Sequence, residues 1–428
     1  MLPAALSPAT DAPAPRRALV AGGGIGGLAA ALACARSACA VQLHEQAPAF
    51  TEVGAGVQLG PNVTRRLAAW GLGDGLRQAA VQPSALVVRS AMHGGVLAQR
   101  PLGDAIEATY GAPYLSIHRA ALHRLLLDAV RAQPGVSLHL GSTVTTLQAL
   151  PQGVRAGVQA APVGVDAALH GSTEADLAVI ADGVWSRLRT AVLGSDTPPE
   201  PTGHLAYRAL VVQDALPPAL RSDAVTVWLG PRLHAVRYPI QDPATGAQAL
   251  NLVLVVHARD VDDGLRPAGD DARWDHAMRQ GEWSQLLAGA LGNAHRSLRE
   301  VLEAMPQWQR WVLHDRAPLA SAAQMARAGV ALLGDAAHPM RPYLAQGAGM
   351  AIEDAFELQQ CLTLPGLTAP QQLQRWAQAR WARNARVQAR SRRNGRIFHA
   401  QGLVRWGRDA AMRLLGERLL DQPWLYRY

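Results

Sequence analysis

The chain has 428 residues, of which 49% are hydrophobic, and this composition predicts a folded protein with a substantial core. Its formal net charge is +8, and all of its fixed positive side chains are arginines because the sequence contains no lysine. These arginines are scattered rather than clustered with aromatic residues, which argues against nucleic-acid binding, although a diffuse positive field favours anionic ligands. Three cysteines without metal-ligand spacing indicate a reduced, cytoplasmic setting.

The N-terminal region allows two interpretations. Residues 1–16 are rich in proline and alanine, and we expect them to form a disordered leader. Arg16 and Arg17 followed by an apolar, small-residue stretch imitate a twin-arginine export signal. Outside this stretch no apolar run is long enough to span a bilayer, so we expect no membrane association.

A nucleotide-binding βαβ unit explains more of the same residues. A short apolar strand at 18–21 is followed by the glycine pattern Gly22-x-Gly24-x-x-Gly27 and by a small-residue helix at 25–37. A second strand then ends in Glu45. Glycines at this spacing let backbone N–H groups approach a pyrophosphate at a helix N-terminus, and the acid can accept hydrogen bonds from ribose hydroxyls.

Two later strands also end in an acid. The stretch EADLAVIADGVWSRLR (174–189) predicts a strand ending in Asp182-Gly183, and GVALL (329–333) predicts one that leads into Asp335. Earlier in the chain, Arg119 opens a predicted helix in YLSIHRAALHRLLLDAV (114–130). Ligands collect at the carboxyl ends of parallel strands, so the three acids predict one long ligand across one sheet edge.

The segment GDAAHPMRPYLAQGAGMAIEDA (334–355) predicts a rigid loop before a helix. Pro339 and Pro342 fix φ and remove hydrogen-bond donors. Gly347, Ala348 and their neighbours leave backbone N–H groups uncovered at the helix start, where they favour negative charge. His338 lies in this loop, and we expect a structural hydrogen bond from it rather than a metal or base role.

The middle and C-terminal parts are less specific. Residues 201–260 predict several β-strands, in which His234 and Tyr238 are four positions apart and therefore share a face. Residues 370–428 predict helices rich in arginine and tryptophan. These helices could form a homodimer contact, but packing within the chain is the favoured interpretation.

The glycine fingerprint, the Asp182-Gly183 pair and the 334–355 segment together resemble the single-component FAD-dependent aromatic hydroxylases, typified by p-hydroxybenzoate hydroxylase. The closer resemblance is to the branch containing salicylate, 3-hydroxybenzoate and 6-hydroxynicotinate hydroxylases, and it extends from about residue 17 to the terminal PWLYRY. It implies an α/β fold: a Rossmann-like FAD-binding domain interleaved with a β-sheet substrate domain, plus a C-terminal helical segment. The expected limits are 17–75, 106–200 and 290–365 for the FAD-binding domain, 76–105 and 201–289 for the substrate domain, and 366–428 for the helical segment.

The resemblance also implies roles for individual residues. His234 would take or relay the phenolic proton of the substrate, and Tyr238 would orient the substrate by a hydrogen bond. The residues implied in FAD binding are Gly22, Gly24, Gly27, Glu45, Arg119, Asp182, Gly183, Asp335, Pro339, Gly347 and Ala348. The expected substrate contacts are Gln58, Arg208 and Tyr343. Gln58 and Tyr343 stand where the hydroxynicotinate enzymes carry histidines, which argues against a pyridine substrate.

The implied function is an FAD monooxygenase that uses NADH or NADPH and O₂ to hydroxylate a small phenolic or hydroxy-heteroaromatic acid through a flavin C4a-hydroperoxide. The alternative function is a decarboxylative hydroxylase of the 6-hydroxynicotinate type. An NAD-dependent dehydrogenase would leave the second and third acid-ended strands unexplained. A non-catalytic flavin-binding protein would show no substrate-stimulated NAD(P)H oxidation.

Overall fold

The computed structural model describes residues 15–50, 56–160, 170–195, 197–261, 276–279 and 282–428. Most of the predicted leader, residues 1–14, lies outside the described residues. The described chain has the mixed α/β architecture that the sequence predicts, with two large sheets and a set of C-terminal helices.

A six-stranded sheet follows the glycine-rich turn. Its strands in spatial order are β19 (Ala326–Arg327), β20 (Val330–Leu332), β12 (Leu177–Ile180), β1 (Arg17–Ala21), β2 (Ala40–Glu45) and β8 (Val136–Leu140). All neighbouring strands are parallel except β19 and β20. The central strands are apolar and buried, as parallel strands covered on both faces must be.

Helix α1 (Ile25–Arg36) packs on this sheet, and the helices α5 (Arg119–Arg131) and α9 (Gly347–Leu362) lie beside α1. Helix α1 contacts both α5 and α9. Its sequence is mostly alanine, glycine and leucine, and the small side chains allow these close helix contacts. A Cβ atom on Gly26, for example, would lie 3.4 Å from the Ala351 side chain of α9.

An eight-stranded sheet forms the second large layer. Its strands in spatial order are β17 (His276–Arg279), β18 (Gln307–Asp315), β13 (Glu200–Val212), β16 (Gln248–His257), β15 (Leu233–Gln241), β14 (Val225–Gly230), β5 (Ala85–Ser90) and β6 (Val96–Pro101). Neighbouring strands are antiparallel except β14 and β5. One face packs Tyr207, Trp228 and Trp308 into a core with α8 (Arg296–Glu303), and the opposite face carries His234 and Tyr238.

The large sheet extends further along the chain than the sequence predicts. Residues 307–315 were expected in the FAD-binding domain, but β18 pairs with β13 along most of its length. The sequence of a single strand gives no local indication of the sheet that it joins, which explains this difference. The other domain limits stay predictions.

Two small sheets and several short helices complete the core of the chain. One sheet contains β3 (Gly56–Leu59), β7 (Leu115–His118) and β4 (Ala80–Val81), and the other contains β11 (His170–Ala175), β10 (Gly153–Ala160) and β9 (Ser142–Leu150). The remaining helices before the C-terminal segment are α2 (Pro61–Ala69), α3 (Gly73–Ala79), α4 (Gly103–Tyr110), α6 (Thr190–Leu193) and α7 (Glu282–Leu291). Strand β3 runs antiparallel to β7 and brings Gln58 opposite Ser116.

The C-terminal segment is helical, as predicted, with α10 (Ala369–Phe398), α11 (Gly402–Leu415), α12 (Glu417–Leu420) and α13 (Pro423–Tyr426). A buried ion network fixes α10 against α9. Arg380 Nε lies 2.7 Å from Asp354 Oδ1, and Arg383 Nε lies 2.6 Å from Glu353 Oε2. Removing one member of such a network leaves a buried charge unpaired, so the α9–α10 contact is strongly specified.

Candidate active site

The three acids that follow strands lie at one edge of the six-stranded sheet. Ala21 of β1 pairs with Ile180 of β12 on one side and with His44 of β2 on the other. Ile180 in turn pairs with Leu332 of β20. The carboxyl ends of β20, β12, β1 and β2 are therefore level, and the chain continues from them into Asp335, Asp182, the glycine turn and Glu45, in that spatial order.

The glycine turn at the end of β1 is shaped by close backbone contacts. Gly22 has φ +103°, and a Cβ atom there would lie 2.5 Å from the carbonyl oxygen of Ala181. A Cβ atom on Gly27 would lie 1.8 Å from the carbonyl oxygen of Gly22. Gly24 differs because no atom of the described residues lies within 4 Å of the position its Cβ would take. The turn thus needs glycine at 22 and 27 for its own folding, while Gly24 faces space that the described residues leave open.

Helix α1 begins beside this open space without a side-chain cap at Gly24. Its first backbone N–H groups have no partner within the helix and carry the positive end of the helix dipole. Glu45 supports the turn, since its Oε2 accepts a hydrogen bond from Gly23 N at 2.6 Å and its Oε1 accepts one from Ala47 N at 2.8 Å. His123 Nε2 lies 2.8 Å from the Gly23 carbonyl oxygen.

Asp335 lies beside the start of α9. A Cβ atom on Gly347 would be 4.0 Å from Asp335 Oδ1. The Asp335 side chain is exposed to solvent, yet desolvation by the surrounding protein raises its pKa, while His338 and Arg119 act in the opposite direction. Asp335 therefore lies close to Arg119 and to the N-terminus of α9, at a crowded position that solvent still reaches. This helix N-terminus also lacks a side-chain cap.

Asp182 and Gly183 occupy the middle of the same edge. Burial raises the pKa of Asp182 to about 6. Its Oδ1 atom is buried without a hydrogen-bond partner among the described residues, and Gly183 has φ +83°. An unpartnered carboxylate oxygen beside two uncapped helix starts fits a ligand that carries both hydroxyl groups and negative charge.

The 334–344 loop is held by the helices behind it. His338 Nε2 lies 2.5 Å from Asp354 Oδ2, which places the predicted structural hydrogen bond of His338 on a buried acid of α9. The carbonyl oxygen of Pro339 accepts a hydrogen bond from Gln388 Nε2 of α10 at 3.0 Å. Ala348, in the first turn of α9, is half-buried and packs against the main core.

His234 lies deep between the eight-stranded sheet and the C-terminal helices. Its side chain is 1% exposed, and its Nδ1 lies 2.8 Å from His399 Nε2 at the end of α10. Its ring also contacts Tyr343 and Phe398, with centroid separations of 5.1 and 5.5 Å. Burial lowers the pKa of His234 to about 3 and that of His399 to about 2, so both rings are neutral near pH 7.

Tyr238 shares the His234 face of β15 but has a different environment. Its hydroxyl donates a hydrogen bond to the Gly56 carbonyl oxygen at 2.6 Å, and Asn251 Oδ1 accepts one from Gly56 N at 2.9 Å. Tyr238 thus gives its one hydroxyl proton to the backbone of β3 and joins the large sheet to that strand. If Tyr238 orients a substrate, as the sequence predicts, its hydroxyl oxygen must accept a hydrogen bond from that substrate.

The predicted substrate residues form two groups. Gln58 lies with Tyr238, and its Oε1 accepts a hydrogen bond from Tyr114 at 2.6 Å. Arg208 is near enough to lower the pKa of Tyr238, against the larger effect of burial, and its guanidinium stacks on Trp311 at 4.6 Å. Tyr343 belongs to the His234 group, and its buried hydroxyl has no hydrogen-bond partner among the described residues.

Sequence reasoning missed His399 and Phe398 because they lie at the C-terminal end of a long helix without any motif. His399 also contacts His204, whose ring contacts His257. Even so, among the described residues no group of three or more histidine, cysteine, aspartate or glutamate side chains could hold a metal ion. The helices in the described ranges include none with the length and apolar character to cross a membrane.

Comparison with known proteins gives consistent matches. A family model described as FAD binding domain matches residues 16–391. The 3-hydroxybenzoate 6-hydroxylase of Polaromonas naphthalenivorans is 34% identical over 97% of both chains. The 6-hydroxynicotinate 3-monooxygenase of Bordetella bronchiseptica is 34% identical over 82% of this chain and 84% of its own. A solved salicylate hydroxylase substrate complex superposes with a TM-score of 0.76 at 26% identity, covering 97% of this chain and 96% of that one.

Proposed function

The chain belongs to the FAD-binding domain family and is an FAD-dependent aromatic hydroxylase, and from this premise we propose that its substrate is a small phenolic or hydroxy-heteroaromatic acid. The observation that carries the proposal is the sheet edge where Asp335, Asp182 and Glu45 flank an open glycine turn. The names of the relatives support hydroxybenzoates as the first substrates to test and 6-hydroxynicotinate, with decarboxylation, as the alternative.

The residues at the sheet edge fit FAD. We propose that Gly22, Gly24, Gly27 and Glu45 hold the ADP half, since Gly24 leaves space for a pyrophosphate at the start of α1. Asp335 and Arg119 would hold the ribityl chain and the pyrophosphate side, and Asp182-Gly183 would lie against the flavin. When bound, FAD takes a hydride from NADH or NADPH and activates O₂, so that one oxygen atom enters the aromatic ring and the other leaves as water.

The start of α9 would stabilise negative charge. Pro339 keeps the preceding loop rigid, while Gly347 and Ala348 leave amide N–H groups uncovered at the positive end of the helix dipole. A reduced flavin carries negative charge on its pyrimidine side, so these donors favour the reduced form. The helix start is held from behind by the buried ion network, which fixes the positions of the donors before the cofactor binds.

We propose that His234 relays the phenolic proton rather than keeping it. Its burial keeps the ring neutral, which is the form that accepts a proton, but a pKa of about 3 makes the protonated ring short-lived. To accept at Nε2, His234 must carry its own hydrogen on Nδ1 and donate it to His399 Nε2, the partner at 2.8 Å. Because the pKa of His399 is lower still, at about 2, His399 holds the His234 ring in this tautomer, and His234 returns the proton to the product oxygen.

Arg208 is the proposed anchor for a substrate carboxylate. A guanidinium can stack its face on an aromatic ring, as that of Arg208 does on Trp311, and bind a carboxylate through two parallel hydrogen bonds. Gln58 and Tyr343 would border the ring of the substrate, and the unpartnered Tyr343 hydroxyl could pair with a polar substituent.

The decisive experiment measures NADH and NADPH oxidation by the FAD-loaded protein with a panel of acids. The panel contains 3-hydroxybenzoate, salicylate, 3-amino-4-hydroxybenzoate and 6-hydroxynicotinate, with benzoate as a control that lacks the ring hydroxyl. We expect one of the hydroxylated acids to stimulate oxidation and to yield a product that is heavier by one oxygen atom, or a decarboxylated hydroxylation product. Stimulation that yields only hydrogen peroxide with every acid would contradict the proposed substrate class.

Two further expectations concern the setting of the enzyme. We propose a cytoplasmic location, which is supported by Cys34, Cys39 and Cys361 being unpaired thiols in the structure. We also propose a homodimer, because the C-terminal helices expose a large apolar surface.

A further inference from the structure

Helix α11 exposes an apolar stripe on the side opposite its buried face. The buried face contains Arg408, and Met412 packs against the hydrophobic cluster at β5 and β6. The exposed face carries Leu403 and Leu414, which are 89% and 84% exposed, and Trp406, which is 68% exposed. A helix on the surface of a monomer normally presents polar residues there, but this face is apolar and is not covered by any of the residues that the structure describes.

The stripe is large enough for a stable protein contact. Its members are Leu403, Trp406, Gly407, Ala410 and Leu414, which recur at helical spacing, and the neighbours Val404, Leu415 and Leu419 extend it. Taking roughly 150 to 250 Å² for a fully exposed large apolar side chain, the exposed fractions amount to on the order of 700 Å². This area is near the ~800 Å² that each partner buries in a standard interface.

We propose that the stripe is the contact between two copies of this chain, with α11 packed antiparallel against the partner's α11. The large and small residues of the stripe are placed symmetrically about the midpoint between Arg408 and Asp409. An antiparallel pair with this twofold axis sets Leu403 opposite the partner's Leu414. It also sets Gly407 opposite the partner's Ala410, which lets the two helices approach closely at the centre.

The flanks of the stripe agree with the same arrangement. Trp406 and Arg413 lie on one flank, so the twofold axis brings Trp406 next to the partner's Arg413, where a cation–π contact can form. Val404 lies on the other flank and meets the partner's Ala411 and the partner's Leu415. Large residues pack against large ones at the ends, and small against small at the centre.

A second copy fits the stripe better than a lipid surface does. The arginines around it would favour an anionic membrane, but insertion gains little from Gly407 and Ala410 at the centre of the exposed face. A helix–helix contact needs small residues at that point. The paired positions also repeat symmetrically along α11, a feature that only a partner with the same sequence can match.

The test uses the FAD-loaded full-length protein and two charge variants, L403R and L414E. Sedimentation velocity over a wide concentration range should give a dimer for the wild-type protein. Each variant alone should be monomeric, with dimer affinity reduced at least about 100-fold because the charge enters the interface twice. An equal mixture of the two variants should form a heterodimer, since the introduced arginine of one faces the introduced glutamate of the other.

Leu364→Glu is the matched control, because Leu364 is an exposed leucine in the connection between α9 and α10. It should leave the dimer unchanged. A monomeric wild-type protein, a dimer that survives L414E, or a mixture that stays monomeric would each overturn the proposal. Cosedimentation of a monomeric wild-type protein with phosphatidylglycerol vesicles would overturn it in favour of a lipid surface. Oxidation of NADH is measured separately, so failure here leaves the catalytic proposal testable.

Discussion

Replacing Gly24 by alanine separates the folding of the glycine turn from its proposed use in cofactor binding. Gly24 has φ −70° and ψ −177°, a conformation that alanine adopts without strain, and an added Cβ would meet no atom of the described residues within 4 Å. A compatible glycine-to-alanine change stabilises a folded chain by about 0.4–1 kcal/mol, because it restricts the unfolded state. We therefore expect the apoprotein of Gly24→Ala to be slightly more stable than the wild-type apoprotein.

The same methyl group should weaken FAD binding. If the pyrophosphate passes over Gly24, the added Cβ forces a shift that costs about 1–3 kcal/mol, as other overpacking substitutions do. This cost corresponds to a loss of about 5- to 150-fold in affinity. Calorimetric titration of each apoprotein with FAD measures the affinity, and urea unfolding of the apoprotein measures the stability.

Two other glycines provide the comparison. Gly171→Ala, in β11, meets no atom within 4 Å and should change FAD affinity little. Gly27→Ala should disrupt the turn itself, because its Cβ would overlap the Gly22 carbonyl oxygen. Wild-type FAD affinity in Gly24→Ala, together with a correctly folded apoprotein, would refute the placement of the cofactor at this turn.

Three more variants test the remaining parts of the site. His234→Ala should retain FAD and slow hydroxylation by about 10²-fold or more below the pKa of the substrate phenol; an unchanged pH–rate profile would exclude the relay. In the apoprotein, the pKa of Asp182 is raised from 3.8 to about 6, so wild-type stability should fall as pH rises from about 4 to 6. Asp182→Asn should remove this loss of stability, which amounts to at most about 3 kcal/mol. If urea unfolding shows the same pH dependence for both proteins, the burial of Asp182 is not the cause of the loss. Tyr238→Phe should cost about 1–3 kcal/mol in unfolding free energy, because the Gly56 carbonyl loses its donor; an unchanged stability with a raised substrate KM would instead favour substrate orientation.

The cofactor side of the site could be predicted because its signals are local. Gly27 is required by a backbone contact within a few residues, and each acid is the last residue of a strand or lies within three residues after one. Parallel pairing then brings the strand ends together by a general rule of sheet topology. The sequence therefore places Glu45, Asp182 and Asp335 on one edge without knowledge of any contact between distant residues.

The substrate side could not be predicted in the same way. The spacing of His234 and Tyr238 correctly predicts a shared face of β15, but it says nothing about what covers that face. His399 is 165 positions away from His234 in the chain, and no pattern at the end of α10 marks it as a partner. The acids Glu353 and Asp354 look like ordinary polar positions of a helix, although both are fully buried in the structure.

One face of α10 connects these two halves of the site. Arg380 binds Asp354, and then Gln388, Ser391 and Gly395 follow at helical spacing along the 339–343 loop.

Each of these positions supports a different part of the loop. Gln388 donates to the carbonyl oxygen of Pro339, Ser391 Oγ donates to that of Arg341 at 2.6 Å, and a Cβ atom on Gly395 would lie 2.6 Å from the Tyr343 ring. One turn further on, His399 reaches His234. The same helix therefore sets the position of the loop proposed to bind the flavin and that of the proposed proton relay. The C-terminal helical layer is in this sense part of the site, because a shift of α10 would move the cofactor loop and His234 together.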